Sequence, residues 1–290
     1  IRPGNAKRYL IPKSELPSSE TDGLGNLEVQ GNVFGNFPKI SFDYVHRMEL
    51  EVELLKELQD KERHPIITLR GRGGIGKTSL ALNSLHSIKT SDVYQLIIWF
   101  SARDIDLFVE GHKPVKQRLL NLSDIAKEYK FLVNPDISGS IDKEIDHLAK
   151  GFQEKDIGPS LFVFDNFETF KDPLSIYSWI DANIRLPNKV LITTRHREFK
   201  ADWAISVEGM MEDECNKLID IVSKKLGISG IVDGEYRKQL IQSSDGHPYI
   251  IKIILNEVSK SKKKLDPPKI IGTKEEMLIT LFERTYSALS

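Results

Sequence analysis

The chain has 290 residues, of which 40% are hydrophobic and 29% charged, and this length is sufficient for about two compact domains with buried cores. The formal net charge of −1 gives no reason to expect nucleic acid or an anionic membrane as a direct partner. The single cysteine, Cys215, excludes a disulfide framework, and no apolar run is long enough for a transmembrane helix, so we expect a cytoplasmic location.

The first 40 residues are rich in turn formers and poor in periodicity. Gly-Asn occurs three times, at 25–26, 31–32 and 35–36, which predicts a linker or a packed loop with little regular structure. The opening "IRPGNAKRYL" has neither an initiator methionine nor a signal-peptide core. We therefore expect the chain to be a piece of a longer protein.

From Tyr44 onwards, helical and strand patterns alternate. "YVHRMELEVELLKELQD" predicts a helix with Met48, Val52 and Leu55 on one face. Short apolar runs separated by helical stretches predict a parallel sheet with helices on both faces. The predicted strands are "PIITLRG" (65–71), "VYQLIIWFSA" (93–102), "SLFVFDNFE" (160–168), "KVLITTRHR" (189–197) and "AISVEG" (204–209).

The pattern after Gly209 is purely helical and predicts a separate small domain. Its helices are indicated by the apolar spacing around Leu218–Leu226, by "EYRKQLIQSS" and by "YIIKIILNEVSK". The basic run "KSKKK" (260–264) is interpreted as a solvated helix end rather than a nucleic-acid patch. We divide the chain into an N-terminal segment (1–40), a nucleotide-binding domain (41–208), a helical domain (209–270) and the start of a third domain (271–290).

The stretch "GRGGIGKT" predicts a phosphate-binding loop. Gly71, Gly76, Lys77 and Thr78 match G-x-x-x-x-G-K-[ST], and the loop follows a predicted strand and opens a predicted helix. Glycines let backbone N–H groups face an anion, and the helix N-terminus adds partial positive charge. Lys77 supplies a point charge for the β- and γ-phosphates, and the Thr78 hydroxyl is a candidate Mg²⁺ ligand.

Asp165 is the second candidate Mg²⁺ ligand. It follows the apolar run "LFVF", and a carboxylate at the end of a buried strand is costly unless it is compensated. Mg²⁺ is a suitable compensation because it needs few protein ligands. The alternative is that Asp165 only caps the segment that follows.

Three further residues are catalytic candidates. Asn166 stands where many fast P-loop ATPases carry a glutamate base, and an amide can orient a water but cannot take its proton, so we expect slow hydrolysis. Glu168 is a second candidate to reach a water. Arg195 ends the fourth strand, where ligands bind in parallel sheets, and so faces a γ-phosphate or, alternatively, forms only a surface salt bridge.

Taken in order, these motifs resemble the STAND class of P-loop ATPases and its NB-ARC-like group, which includes apoptosome proteins, plant immune receptors and bacterial regulators and anti-phage proteins. The resemblance covers residues 41–290. The motifs that carry it are "GRGGIGKTSLA", "YQLIIWFSARD", "LFVFDNFE", "KVLITTR", "GHPYIIKII" (246–254), "YVHRMELE" (44–51) and "LFERTYSALS" (281–290).

The resemblance implies a P-loop NTPase sheet in which the strand ending at Thr194 lies between the glycine-loop strand and the Asp165 strand. It implies that residues 271–290 begin a winged-helix domain. It also implies that Pro248 packs on the adenine side and that Val45 and Arg47 line that side. The implied phosphate contacts come from Gly71, Gly73, Gly74, Ile75, Gly76, Lys77, Thr78 and Ser79.

The function implied by the resemblance is a switch operated by ATP or ADP with Mg²⁺. The switch would control self-association and an N-terminal effector, would respond to a protein trigger through a C-terminal sensor, and would serve bacterial anti-phage defence. Slow ATP hydrolysis is the most that we expect from this segment. Two alternatives share the loop and Asp165: an AAA+-type motor, and the ATPase switch of a transcription regulator.

Overall fold

The computed structural model of the protein describes residues 16–108, 111–137, 139–154, 158–196 and 201–273, and its centre is a seven-stranded sheet with the order β1-β2-β4-β7-β8-β3-β9. All neighbouring strands are parallel except the β1–β2 pair. The strands are β1 (Glu28–Gln30), β2 (Val33–Gly35), β3 (Ile66–Arg70), β4 (Leu96–Ser101), β7 (Ser160–Asp165), β8 (Lys189–Thr194) and β9 (Trp203–Ser206). As predicted, β8 lies between β3 and β7.

The central strands are buried on both faces, which explains their continuous apolar sequences. In β7, Leu161 and Val163 point into one core, whereas Phe162 and Phe164 point into the other. The first core is covered by α1 (Met48–Gln59) and α2 (Lys77–Ile88). The second is covered by α3 (Leu122–Val133), α4 (Ile141–Gln153) and α5 (Pro173–Asn183). The α/β architecture is therefore confirmed.

A third core belongs to four helices that follow the sheet. They are α6 (Glu212–Lys225), α7 (Gly234–Ser244), α8 (Pro248–Ser261) and α9 (Pro267–Thr273). Their buried residues include Leu218, Leu240 and Ile254, and Val45 from the start of the nucleotide-binding region packs with them. The core of the helical domain therefore includes a residue that precedes α1 in the chain.

The structure corrects three details of the sequence interpretation, and the division into domains stays a prediction. Residues 28–35 of the predicted linker form β1 and β2 and extend the sheet. A β-hairpin of β5 (Ile105–Phe108) and β6 (Gly111–Pro114) was not predicted. Met48 and Val52 are exposed, and α1 instead buries Leu54 and Leu58. α9 crosses the predicted boundary at residue 270, and the predicted start of a winged helix beyond residue 273 lies outside the described residues.

Candidate functional site

The glycine loop joins the carboxyl end of β3 to the first turn of α2. Gly76 is the N-cap of α2 with φ of 104°, and Gly74 has φ of 75°, both in the left-handed region that other residues rarely adopt. A Cβ on Gly74 would lie 3.1 Å from Cβ of Tyr249 and 3.3 Å from the ring of His247. The first N–H groups of α2 have no acceptor within the helix, so they are available to an anion.

Lys77 is the first residue of α2, and its side chain turns back towards the glycine loop. Its side chain is buried, and its Nζ donates hydrogen bonds to the carbonyl oxygens of Gly71 at 2.8 Å and Arg72 at 3.0 Å. Burial lowers the pKa of Lys77 to about 8, and the nearby carboxylate of Glu168 opposes this shift. The ammonium is thus held beneath the loop in the place where the motif requires a cation for phosphate.

Thr78 and Asp165, the two candidate Mg²⁺ ligands, are brought together. The Thr78 hydroxyl donates a hydrogen bond of 2.7 Å to Oδ1 of Asp165, and the Thr193 hydroxyl donates another to the same oxygen, also at 2.7 Å. Asp165 is fully buried. A hydroxyl and a carboxylate oxygen at this spacing fit a Mg²⁺ ion, which would be held by Thr78 and Asp165 and would neutralise phosphate charge there.

Arg103 was missed by the sequence interpretation and lies at the same point. Its Nη2 is 2.8 Å from Thr78 Oγ1 and 3.0 Å from Asp165 Oδ2. The sheet explains this position, because β4 and β7 are neighbours and Ser101 is in register with Asp165. The signal in the sequence is an arginine two residues after a buried strand, but its partner becomes evident only from the strand order.

Asn166 adopts a left-handed conformation with φ of 58°, which asparagine tolerates better than most residues. Its backbone N–H donates to Thr193 Oγ1 at 3.0 Å. Glu168 lies beneath it and holds Arg195, with Oε1 3.0 Å from the Nε of Arg195 and Oε2 accepting the backbone N–H of Arg195 at 3.2 Å. Glu168 and Arg195 thus form one unit at the carboxyl ends of β7 and β8.

The helical domain contacts the glycine loop directly. His247 is buried and its Nε2–H donates to the carbonyl oxygen of Gly73 at 3.0 Å, and Arg72 forms an ion pair of 2.8 Å with Asp245. Burial lowers the pKa of His247 to about 4, so the ring is neutral near pH 7. The segment "DGHP" (245–248) therefore fixes the helical domain to the loop through Asp245 and His247, two residues that the sequence analysis did not single out.

Arg47 is buried at the junction of the two domains. Its Nη2 donates to the carbonyl oxygens of Glu208 at 3.0 Å and Gly209 at 2.9 Å, and its Nε lies 3.3 Å from Glu214. These acceptors belong to the connection between β9 and α6. Arg47 therefore holds the segment that joins the domains, in addition to facing the cavity.

A cavity of about 450 Å³ lies between the sheet and the helical domain, a size typical of small-ligand sites. Gly71, Asp165 and Glu168 do not line it. The predicted site residues that line it are Val45, Arg47, Gly73, Gly74, Ile75, Gly76, Lys77, Thr78, Ser79, Asn166, Arg195 and Pro248. Lining residues that were not predicted include Glu20, Asp43, Arg103, Leu107, Tyr249 and Lys252.

The described residues contain no group of three or more His, Cys, Asp or Glu side chains that could hold a metal ion. A Mg²⁺ ion at this position would therefore be held by Thr78, by Asp165 and by the phosphate oxygens of a bound nucleotide.

Across the same described ranges, no helix is both long and apolar enough to cross a membrane.

The profile of the NB-ARC domain family matches residues 48–225, which is more than half of the chain. The chain belongs to the NB-ARC family. This confirms the resemblance to the STAND-class P-loop ATPases and agrees with the observed strand order. A comparison with curated protein sequences gives no match.

Solved structures resemble this NB-ARC chain at low sequence identity. A STAND protein with a tetratricopeptide repeat sensor from Pyrococcus horikoshii is 17% identical, with 87% of this chain and 33% of that chain covered and a TM-score of 0.45. Cdc6p from Pyrobaculum aerophilum is 15% identical, with 82% and 70% covered and a TM-score of 0.52. Drosophila ORC, solved bound to DNA, is 13% identical, with 82% and 63% covered and a TM-score of 0.53.

The last two structures support the P-loop NTPase fold of the NB-ARC chain and nothing beyond it. The chain spans only about a third of the length of the STAND protein that it matches. The roles of individual site residues therefore remain predictions based on the geometry described above.

Proposed function

We propose that this NB-ARC chain binds ATP or ADP with Mg²⁺ and acts as the switch module of a STAND signalling protein. The observation that carries the proposal is the position of the cavity. Its walls come from the glycine loop on one side and from Pro248 and Tyr249 of the helical domain on the other. A nucleotide bound there would touch both domains, and its phosphates could change how they are held together.

Each candidate residue has a role in this proposal. The first turn of α2 and Lys77 would bind phosphate oxygens, and Thr78 and Asp165 would hold Mg²⁺. Arg195, held by Glu168, would sense the γ-phosphate. The contacts of His247 and Arg72 across the domain junction would be the ones that respond to the nucleotide.

Slow hydrolysis is part of the same proposal. Asn166 cannot act as a general base, and Glu168 is already engaged by Arg195. With neither Asn166 nor Glu168 placed to take a proton from water, the described part of the site suits a nucleotide that is held rather than rapidly consumed. This favours a switch over an AAA+-type motor, although the motor would share the fold.

Beyond this segment, we propose that the switch controls self-association and an effector preceding residue 1, in the cytoplasm. A protein trigger would act through a sensor that follows residue 290. Bacterial anti-phage defence is the setting that the resemblance favours. A transcription regulator with the same ATPase would be distinguished by a DNA-binding domain outside these residues.

The test uses purified full-length protein. Bound nucleotide is extracted and identified, and the molar mass in solution is measured with ADP and with a non-hydrolysable ATP analogue plus trigger. We expect a bound adenine nucleotide, a monomer with ADP and a larger assembly with the analogue. A monomer under both conditions would refute the switch. Steady-state turnover of about one per second or faster without a trigger would favour the motor.

A further inference from the structure

The Nη2 atom of Arg103 stands where a metal ion would be expected. It lies 2.8 Å from Thr78 Oγ1, 3.0 Å from Asp165 Oδ2 and 3.4 Å from Asn166 Oδ1. The Thr78 hydroxyl donates a hydrogen bond to Asp165 Oδ1, so a lone pair of the same oxygen accepts the hydrogen bond from Arg103. Arg103 therefore occupies lone pairs on the Thr78 and Asp165 oxygens that a Mg²⁺ ion would need as ligands.

Mg²⁺ and the Arg103 guanidinium cannot bind these oxygens at the same time. Both are cations, and Thr78 Oγ1 and the two Asp165 oxygens offer few lone pairs beyond those that already accept hydrogen bonds from Thr78, Thr193 and Arg103. Asp165 is fully buried, and a buried carboxylate requires a counter-charge. Either cation satisfies that requirement, so Arg103 and Mg²⁺ are alternatives at this position.

The other side of the guanidinium leads away from the site towards Asp106. Nη1 of Arg103 lies 3.8 Å from Oδ1 of Asp106, whose side chain is 6% exposed. Asp106 accepts the Ser19 hydroxyl at 2.6 Å and the backbone N–H of Glu20 at 2.9 Å. Arg103 thus bridges one buried carboxylate at the candidate metal site and another that anchors the N-terminal segment.

Within the N-terminal segment (1–40), residues 16–24 are held along the sheet and the β5–β6 hairpin. Besides the contacts with Asp106, the carbonyl of Pro17 accepts from the backbone N–H of Lys116 at 2.8 Å, and that of Thr21 accepts from Trp99 Nε1 at 3.0 Å. Glu20 also lines the cavity. The effector that we propose would be attached through this end of the chain, so the hold on residues 16–24 would link the site to it.

We propose that Arg103 is a displaceable cation that couples Mg²⁺ binding to the attachment of the N-terminal segment. When Mg²⁺ is held with nucleotide, Arg103 yields the oxygens of Thr78 and Asp165 and follows the negative charge of the phosphates. Asp106 then keeps a buried negative charge without the neighbouring Arg103 cation, which destabilises the buried arrangement that fixes Ser19 and Glu20. The proposal rests on the proposed function, because it assigns regulation to the same site.

The first test measures the concentration of Mg²⁺ that is needed for nucleotide binding. Affinity for a fluorescent ADP analogue is measured across a MgCl₂ series in the full-length protein and in Arg103→Ala, Arg103→Lys and Arg237→Ala. Arg237 is the matched control, because it pairs with Asp220 in the helical domain, away from the site.

We expect Arg103→Ala to reach its half-maximal Mg²⁺ effect at about tenfold lower Mg²⁺, the factor that corresponds to one charge-assisted hydrogen bond. Arg103→Lys, which keeps the charge, and Arg237→Ala should stay near the wild type. An unchanged Mg²⁺ requirement in a folded Arg103→Ala protein would overturn the proposal.

The second test needs no variant and therefore does not depend on whether Arg103→Ala folds. Hydrogen exchange of residues 16–24 is followed in the wild type with nucleotide alone and with nucleotide plus Mg²⁺. We expect faster exchange when Mg²⁺ is present, and equal exchange would contradict the coupling. If the wild type binds no nucleotide at any Mg²⁺ concentration, the proposed function fails. If it binds and these two measurements show no change, only the role of Arg103 fails.

Discussion

The Nε of Arg195 lies 3.0 Å from Oε1 of Glu168, and the backbone N–H of Arg195 donates to the other carboxylate oxygen at 3.2 Å. The Glu168 side chain is only 5% exposed, so the pair is shielded from water. A carboxylate engaged at both oxygens is poorly suited to take a proton from water. Glu168 is therefore better described as the residue that positions Arg195 than as a general base.

Replacing Glu168 by alanine should remove the carboxylate that positions Arg195 and weaken the preference for ATP over ADP by about tenfold, equivalent to one charge-assisted hydrogen bond. Arg195→Ala should have a similar effect, and the double variant should be no worse than either single variant, because the two residues act as a unit. Calorimetry with ATP and ADP measures this. If Glu168→Ala instead abolished hydrolysis while ATP affinity stayed unchanged, Glu168 would be the base.

Lys77→Ala should weaken binding of both ATP and ADP by about 100-fold or more, since the ammonium makes charge-assisted contacts with phosphate. The fold should survive, because the partners of the Lys77 ammonium among the described residues are two loop carbonyls. Lys130→Ala is the matched control, because Lys130 pairs with Glu144 between α3 and α4. Calorimetry together with a melting curve checks the result, and unchanged affinity in Lys77→Ala would refute the phosphate role.

Asp165→Asn should make nucleotide affinity independent of Mg²⁺. The amide oxygen can still accept from Thr78 and Thr193, but the charge that attracts the metal is gone. Binding is measured in EDTA and in excess MgCl₂, with Asp172→Asn as control because Asp172 is the N-cap of α5, a position that asparagine also fills well. A variant that still gains the full wild-type increase from Mg²⁺ would show that Asp165 is not a metal ligand.

His247 should make the protein less stable in mild acid. Its pKa is lowered to about 4 from an ordinary value of 6.5, chiefly by burial, with Arg72 and Lys77 adding repulsion. Between pH 6.5 and 4 the unfolded chain therefore binds a proton at this histidine that the folded chain does not bind. The free energy of unfolding has its full value above pH 6.5 and falls as the pH drops towards 4. The loss is at most about 3 kcal/mol.

The measurement is urea unfolding of the wild type and of His247→Gln across this pH range. Glutamine can still donate to the carbonyl of Gly73 but does not titrate. The difference in unfolding free energy between the two proteins should change through the window from pH 6.5 to 4. A constant difference would show that the histidine does not titrate on unfolding.

Much of the fold could be predicted because its signals are local. The five central strands are continuous apolar runs, and the glycine loop is a motif with a direct physical reason. β1 and β2 were missed because each has three residues and the Gly-Asn turns beside them dominate the pattern. The exposed face of α1 was misassigned because apolar spacing alone cannot show which neighbours cover Leu54 and Leu58.

The site divides in the same way. Lys77, Thr78 and Asp165 could be predicted because each follows from its own strand or loop. Arg103 could not, because its contact with Asp165 exists only through the register of β4 beside β7. His247 was passed over for a similar reason, since its acceptor, the carbonyl of Gly73, is 174 positions away in the chain.

The most direct test of the nucleotide switch is the distance between the two domains. In the full-length protein, spin labels are placed at Ser178→Cys on α5 and Lys217→Cys on α6, both exposed positions. Cys215 is fully buried and its pKa is raised to about 11 by burial, so it should remain unlabelled.

A second pair, Lys127→Cys with Ser178→Cys, lies within the sheet domain and serves as the control. We expect the distance between residues 178 and 217 to differ between the Mg²⁺ complexes of ADP and of a non-hydrolysable ATP analogue, while the control distance stays constant. Identical distances for residues 178 and 217 with both nucleotides bound would contradict the account.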